Sequence, residues 1–258
     1  MKRFPAFLFG VACYLVFLAV FGYLVGFVGD LFVPKSIDAG ASGSVATAVA
    51  VDVGLLALFA LQHSGMARQG FKERWTEIVP KHLERSSYVL AASLVLALVM
   101  WGWRPIPATV WSVDQPIVVG ALEGLFWAGW AIVLVATFLI DHFRLFGLKQ
   151  VWGHLRGRQY EPPEFQTPGL YAYVRHPLYL GFLLAFWCTP HMTAGHLLFA
   201  GVWTGWILLA IQMEERDLVR FHGDAYREYR RRVRMLVPLP RGSAEERTER
   251  SARGRRAS

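Results

Sequence analysis

Apolar residues gather in long unbroken runs along this chain, and charged residues fall in the gaps between them. A bilayer core about 30 Å thick takes about 20 residues of helix, so each run can be measured against that length. The first covers residues 4–33 and is stopped by Pro34. Lys2 and Arg3 precede it as they would a signal peptide, but the stretch is too long for an h-region and no small-residue cleavage site follows closely. It is therefore predicted to be an uncleaved span. Gly22 and Gly26 form a GxxxG pair within it, a pattern that allows close helix packing. Further spans are predicted at 45–66, around Asp52; at 86–103, ended by Pro105; and at 117–140, around Glu123. Residues 178–188 are short for a crossing and break at Thr189-Pro190, whereas 195–213 are long enough. These last two read as a helical hairpin.

The expected fold class is all-α: a polytopic membrane helical bundle of four spans plus a C-terminal helical hairpin, five to six membrane segments in all. Beyond the hairpin, Leu218, Phe221, Tyr226, Tyr229 and Val233 recur at roughly helical spacing, interrupted at Gly223, with arginines between them. This predicts an amphipathic cytoplasmic helix that lies on the membrane surface, a place compatible with covering a cofactor. After Pro240 the chain lacks any large apolar residue. The expected organisation is a transmembrane bundle over residues 1–143, a cofactor-binding region with the hairpin over 144–238, and a disordered basic tail over 239–258.

Composition agrees with this class. Of 258 residues, 54% are hydrophobic and 18% charged, which excludes a disordered chain, a disulfide scaffold and an ordinary nucleic-acid-binding domain. Cys13 and Cys188 both sit in apolar runs and read as small buried hydrophobes. The net charge of +8 is distributed by side. With the N-terminus inside, 25 of the 27 Lys and Arg residues fall on one face, and only Lys35 and Arg104 on the other. The positive-inside rule assigns the rich face to the cytoplasm, so both termini are expected there. The basic balance then reports topology and contact with anionic lipid, and needs no nucleic acid.

Ionisable groups at span ends point to chemistry, because they are costly inside a bilayer. His63 ends the second span on the inner side; Asp141, His142 and Arg144 end the fourth; Arg175 and His176 open the hairpin; Glu214 and Glu215 close it. A compact bundle would gather them into one cytoplasm-facing polar pocket. Pro177 suits the first turn of a helix, whose free N–H groups favour a carboxylate, while paired glutamates favour a cation. S-adenosylmethionine carries both kinds of group. His191 and His196 flank the outer loop without a metal-ligand spacing.

The motifs Arg175-His176-Pro177-Leu178-Tyr179, Glu214-Glu215-Arg216-Asp217-Leu218 and Gly223-Asp224-Ala225-Tyr226-Arg227-Glu228-Tyr229 resemble those of membrane methyltransferases such as the isoprenylcysteine carboxyl and phospholipid N-methyltransferases. Upstream, Gly26-Phe27-Val28-Gly29-Asp30, Leu61-Gln62-His63-Ser64-Gly65-Met66 and Asp141-His142-Phe143-Arg144-Leu145-Phe146 resemble the bacterial methanethiol S-methyltransferases, themselves similar to NnrU-type membrane proteins. The resemblance implies S-adenosylmethionine as cofactor and in-line methyl transfer to the thiolate of methanethiol, giving dimethyl sulfide. It carries His176, Tyr179, Glu214 and Glu215 over as cofactor-binding residues, with Arg175 at the carboxylate and Tyr171 against the adenosine. His142 and Arg144 are the first choice for the thiol-activating pair, and His63 the second. Other readings are the same chemistry on another thiol, a prenylcysteine carboxylate or a lipid amine; a haem between His63 and His142; or a transporter or structural membrane subunit, to which Asp52 and Glu123 inside spans would point, although a structural ion pair of one of them with Arg104 is the preferred account of these two.

Overall fold

A computed structural model describes residues 3–41, 43–158 and 166–238; the tail expected over 239–258 lies outside them. The long helices are α1 (Arg3–Gly29), α2 (Val45–Ala67), α4 (Lys81–Gly102), α5 (Pro116–Leu139) and α9 (Ala194–Arg232). All five are long and apolar enough to cross a membrane. Shorter helices are α3 (Gln69–Ile78), α6 (His142–Leu145), α7 (Leu148–Leu155) and α8 (Pro177–Trp187), and a 3-10 turn covers Gly169–Ala172. The chain is a multi-pass membrane protein with a nearly all-α fold. The hairpin is present as α8 and α9, and α8, at 11 residues, is too short to cross alone.

One element departs from the all-helical expectation. Strand β1 (Thr109–Ser112), between α4 and α5, pairs antiparallel with β2 (His191–Thr193) in the hairpin loop. The ribbon fastens the hairpin to the preceding loop at one end of the bundle, here the ribbon end. The opposite, basic end holds the start of α1, the end of α2 and the glutamates of α9.

The first span ends at Gly29 rather than at Pro34. Asp30 and Phe32 take positive φ, Leu31 N–H donates to the Gly26 carbonyl at 2.9 Å, and the chain turns back along α1. A Cβ on Gly26 would meet the Leu31 carbonyl oxygen at 2.6 Å, while Gly22 faces open space. The GxxxG pair thus makes room for α1's own return loop and is not a helix-packing seam. The close crossing lies between α5 and α8: a Cβ on Gly129 would sit 2.7 Å from the Gly181 carbonyl oxygen, and one on Gly181 2.6 Å from that of Gly129. That approach seats α8 deep in the bundle.

The helix expected after the glutamates is present and is interrupted at Gly223 as expected: α9 runs on past Glu214 and Glu215 and kinks there (φ 55°, ψ −126°), so that two helical stretches meet at that residue. One further expectation needs correction. The buried Asp52 meets Arg104, but through the backbone: its Oδ1 accepts from Arg104 N–H at 2.9 Å. Glu123 is exposed.

The core sits between the two ends, where Phe27, Trp103, Phe186 and Phe199 meet edge to face or tilted. Cys13 is buried and Cys188 partly so, and both are free thiols.

Candidate functional site

At the basic end the start of α8 lies against the middle of α9. Pro177 opens α8 at its first position, where its missing N–H has no helical partner to lose. The residues just before it are held in line by a strand-like contact: Arg175 N–H donates to Arg234 O at 2.9 Å and His176 N–H to Met235 O at 3.1 Å. Their side chains are thereby turned onto α9. Arg175 Nε donates to Glu215 Oε1 at 2.7 Å, and His176 Nε2 lies 3.1 Å from the same oxygen. A carboxylate only accepts, so the imidazole proton is on Nε2. Arg230 Nε approaches Glu215 Oε2 at 3.0 Å. Glu215 is thus buried and matched by cations on both oxygens, as a buried charge requires.

The neighbouring glutamate behaves differently. The Glu214 side chain is 46% exposed, and its Oε2 accepts from the Tyr179 hydroxyl at 3.1 Å. Tyr171 is close by, with its phenol pushed well above the usual range by burial and by the Glu214 carboxylate. Its backbone carbonyl accepts from the Tyr229 hydroxyl at 2.6 Å, which ties the bent end of α9 over the 3-10 turn. Arg175, His176, Tyr179, Glu214, Glu215 and Tyr171 are therefore brought together.

His63 adjoins this group through α4. The Tyr88 hydroxyl stands 3.0 Å from each His63 ring nitrogen, and the imidazole stacks on Phe59. Tyr179 lies within electrostatic range of Tyr88 as well as Glu214 and Tyr171. The Arg85 guanidinium covers the Tyr88 ring at 4.9 Å, and its Nε donates to Leu145 O at 2.6 Å. Arg68, at the end of α2, reaches Asp217 on α9 at 3.3 Å.

His142 and Arg144 stand to one side of that group. Thr137 Oγ1 donates to Leu134 O, so it accepts from His142 Nδ1–H at 2.8 Å. The Tyr14 hydroxyl then donates to Nε2 at 2.7 Å. The ring stacks on Phe138 and is 4% exposed, and burial lowers its pKa. Arg144 donates to Ile140 O at 3.1 Å and lies 3.9 Å from Asp141. The link back to the cluster runs through Arg85 on Leu145 and through Leu139, which packs on Gly169.

Tyr88, Arg85, Tyr14, Thr137 and Arg230 had not been singled out from the sequence. The cue for two of them was Arg85-Ser86-Ser87-Tyr88, a polar opening to an apolar run. A half-open groove of about 370 Å³ between α1 and α5, lined by Gly22, Tyr23, Phe32 and Trp127, touches none of these site residues. Among the described residues no cluster of three or more His, Cys, Asp or Glu side chains forms a metal site.

Comparison with known proteins shows the family of the chain. The family described as NnrU protein matches residues 53–238. The chain belongs to the NnrU family. A protein named methanethiol S-methyltransferase from Mycobacterium tuberculosis is 55% identical over 240 residues, 93% of this chain and 98% of the relative. Another of that name, from Crocosphaera subtropica, is 54% identical over 232 residues, 90% of this chain and 91% of the relative. Nurim of Homo sapiens is 33% identical over 187 residues, 68% of this chain and 70% of the relative. No solved structure matches. The NnrU match takes in α2 from Val53 onward and all of α3 to α9, and so every residue named in the cluster.

Proposed function

We propose that this NnrU-family chain is an integral-membrane methyltransferase that uses S-adenosylmethionine to convert methanethiol to dimethyl sulfide, with both termini cytoplasmic in a bacterial plasma membrane. One observation carries the reading: 55% identity to a methanethiol S-methyltransferase over nearly the whole of both chains. The donor set at the basic end fits such a cofactor. Glu214, half exposed, suits the ammonium of an amino acid. Tyr171 and Tyr179 offer aromatic faces, which attract cations such as a sulfonium. The free N–H groups at the start of α8 suit a carboxylate.

S-adenosylmethionine, when bound, supplies an electrophilic methyl group on a positively charged sulfur. Within this reading Arg175, His176 and Glu215 lock the start of α8 to α9 and so fix the cradle, while Glu214, Tyr179 and Tyr171 line it. The division into a bundle over 1–143 and a cofactor-binding region over 144–238 belongs to the same proposal.

A thiol must lose its proton to become a competent nucleophile near neutral pH, since cysteine's reference pKa is about 8.5. Of the two histidines, the geometry favours His63 as acceptor of that proton. Both nitrogens of His142 are engaged, by Tyr14 and Thr137, so His142 and Arg144 brace the turn after α5. Holding thiolate and methyl in line then contributes the remainder, about 7–11 kcal/mol in the best-oriented reactions.

The test uses membranes from an overproducing host supplied with methanethiol and S-adenosylmethionine. Dimethyl sulfide should appear in the headspace. Correctly folded protein that makes none, yet methylates a prenylcysteine or a lipid amine, would move the acceptor and keep the cofactor.

A further inference from the structure

The mechanism leaves one cluster unexplained. Tyr88 is 6% exposed on α4 and places its hydroxyl 3.0 Å from both nitrogens of His63 on α2. Arg85, one turn earlier, is partly buried and covers the Tyr88 ring. Among the described residues no Asp or Glu forms a salt bridge with Arg85; its Nε is spent on the Leu145 carbonyl. A partly buried cation that lacks a carboxylate is costly unless an anion arrives beside it. Here the spare cation, a proton acceptor and the Tyr179–Glu214 pair adjoin one another.

We propose that Arg85 and Tyr88 complete the acceptor half of the site: Arg85 as a catalytic residue that holds the thiolate, and Tyr88 as a positioning residue that orients the His63 imidazole. This rests on the methyltransferase reading above. A neutral imidazole has one donor and one acceptor nitrogen. The one hydroxyl stands 3.0 Å from both nitrogens and can bond only one of them well; with its oxygen accepting that nitrogen's N–H, the lone pair of the other is left to take the substrate proton. The thiol S–H bond breaks and its proton passes to His63. The thiolate lone pair forms the new S–C bond as the old C–S⁺ bond breaks, and that bond's electron pair returns to the departing sulfur as a neutral thioether. The imidazolium then releases its proton to water. Charge balances because the positive charge lost from the sulfonium reappears on the imidazolium, while Arg85 stays a cation throughout and steadies the transient thiolate.

The groups that bear on His63 are few. Arg85 and Tyr88 come from α4, and Tyr179 and Glu214, from α8 and α9, lie beyond Tyr88. Lys72, from α3, lies within electrostatic range of both Arg85 and Glu84.

The experiment compares wild type, Tyr88→Phe, Arg85→Gln and Arg85→Lys in membranes, by initial rate of dimethyl sulfide formation across pH at saturating S-adenosylmethionine. S-adenosylmethionine binding and thermal midpoint are measured alongside in detergent. Tyr88→Phe keeps the ring and should lower kcat about tenfold, the scale of one hydrogen bond, with cofactor binding unchanged and the acid limb of the pH profile displaced. Arg85→Gln should lose activity at neutral pH and regain it as pH rises and the thiol ionises unaided, and Arg85→Lys should restore part of the loss. Should a variant lose its thermal transition, Arg85→Lys, which keeps both stem and charge, still decides through its pH profile. Variants that turn over like wild type at every pH would overturn the proposal, as would an Arg85→Gln loss that is the same at high pH. Wild-type membranes that methylate no thiol would instead bring down the reading beneath it.

Discussion

The two ends of the bundle both bury polar groups, but satisfy them in different ways. At the ribbon end, side chains bond mostly to backbone: Asp52 accepts from Arg104 N–H, His196 Nε2 donates to Phe186 O, and Trp103 Nε1 donates to Ile37 O. At the basic end there are backbone bonds too, such as Arg85 to Leu145 O, but a set of side chains also bonds to side chains from other helices: Arg175 and His176 to Glu215, Tyr179 to Glu214, Tyr88 to His63. A side chain tied to backbone pins the fold and has little freedom to do more. Side chains tied to one another can exchange partners, so a ligand can enter the network. The difference separates polarity that holds the hairpin in place from polarity that is available for chemistry.

The contrast breaks first at Glu215. Glu215→Ala leaves Arg175 buried without its carboxylate, and breaking a buried pair costs about 3–5 kcal/mol. Thermal unfolding in detergent should show the largest loss of any single change here, and a midpoint within a degree of wild type would refute the account of Glu215 as the lock. A smaller loss is expected at the other end. Asp52→Ala orphans the Arg104 N–H and should cost about 1–3 kcal/mol, whereas Asp52→Asn keeps the acceptor and should cost little. Neither change should alter kcat or KM, because the ribbon end serves the fold. A kinetic defect in Asp52→Asn would erase the distinction between the ends.

Much of this organisation was legible in the sequence, for a physical reason. Hydropathy over about 20 residues reports burial in lipid whatever the neighbours are, so the spans stood out within a few residues at each end. The errors came where a neighbour decides. Gly22-x-x-x-Gly26 fits a packing seam, but the loop after Gly29 fills the space beside Gly26. The ribbon was invisible because β1 and β2 are strands of four and three residues made by each other's proximity. At the site, the pairing of the α8 start with the two glutamates followed from hairpin geometry. Tyr88 and Arg85 did not, since nothing in their local pattern says that α4 lies beside His63. The placing of His142 turned on Tyr14, 128 residues away.

Glu214 sharpens the comparison within the basic end itself. Glu214→Gln removes a charge from a half-exposed side chain, so the thermal midpoint should stay near wild type. If this carboxylate receives the ammonium of S-adenosylmethionine, the KM for the cofactor should rise about tenfold, the scale of one charge-assisted hydrogen bond. Adjacent glutamates would then be divided by readout, Glu215 seen in stability and Glu214 in cofactor affinity. A Glu214→Gln enzyme with unchanged cofactor KM would remove Glu214 from the cradle.

The smallest effect is expected at His142, and its sign follows from burial. Its pKa is lowered in the folded protein, while the unfolded chain titrates near 6.5. Above that value the ring is neutral in both states and contributes no pH dependence. As pH falls below it, the unfolded chain takes up a proton that the folded protein refuses, so stability declines until the lowered folded value is reached. The slope is at most about 1.4 kcal/mol per pH unit, hence under about 1 kcal/mol across the first half unit. Subtracting the unfolding curve of His142→Gln from that of wild type should isolate this decline. If His142 only braces the turn after α5, the same variant should retain most of its activity at pH 7 and lose stability instead, because Tyr14 and Thr137 lose the ring they enclose. Abolished turnover in a stably folded His142→Gln protein would return the proton-accepting role from His63 to His142.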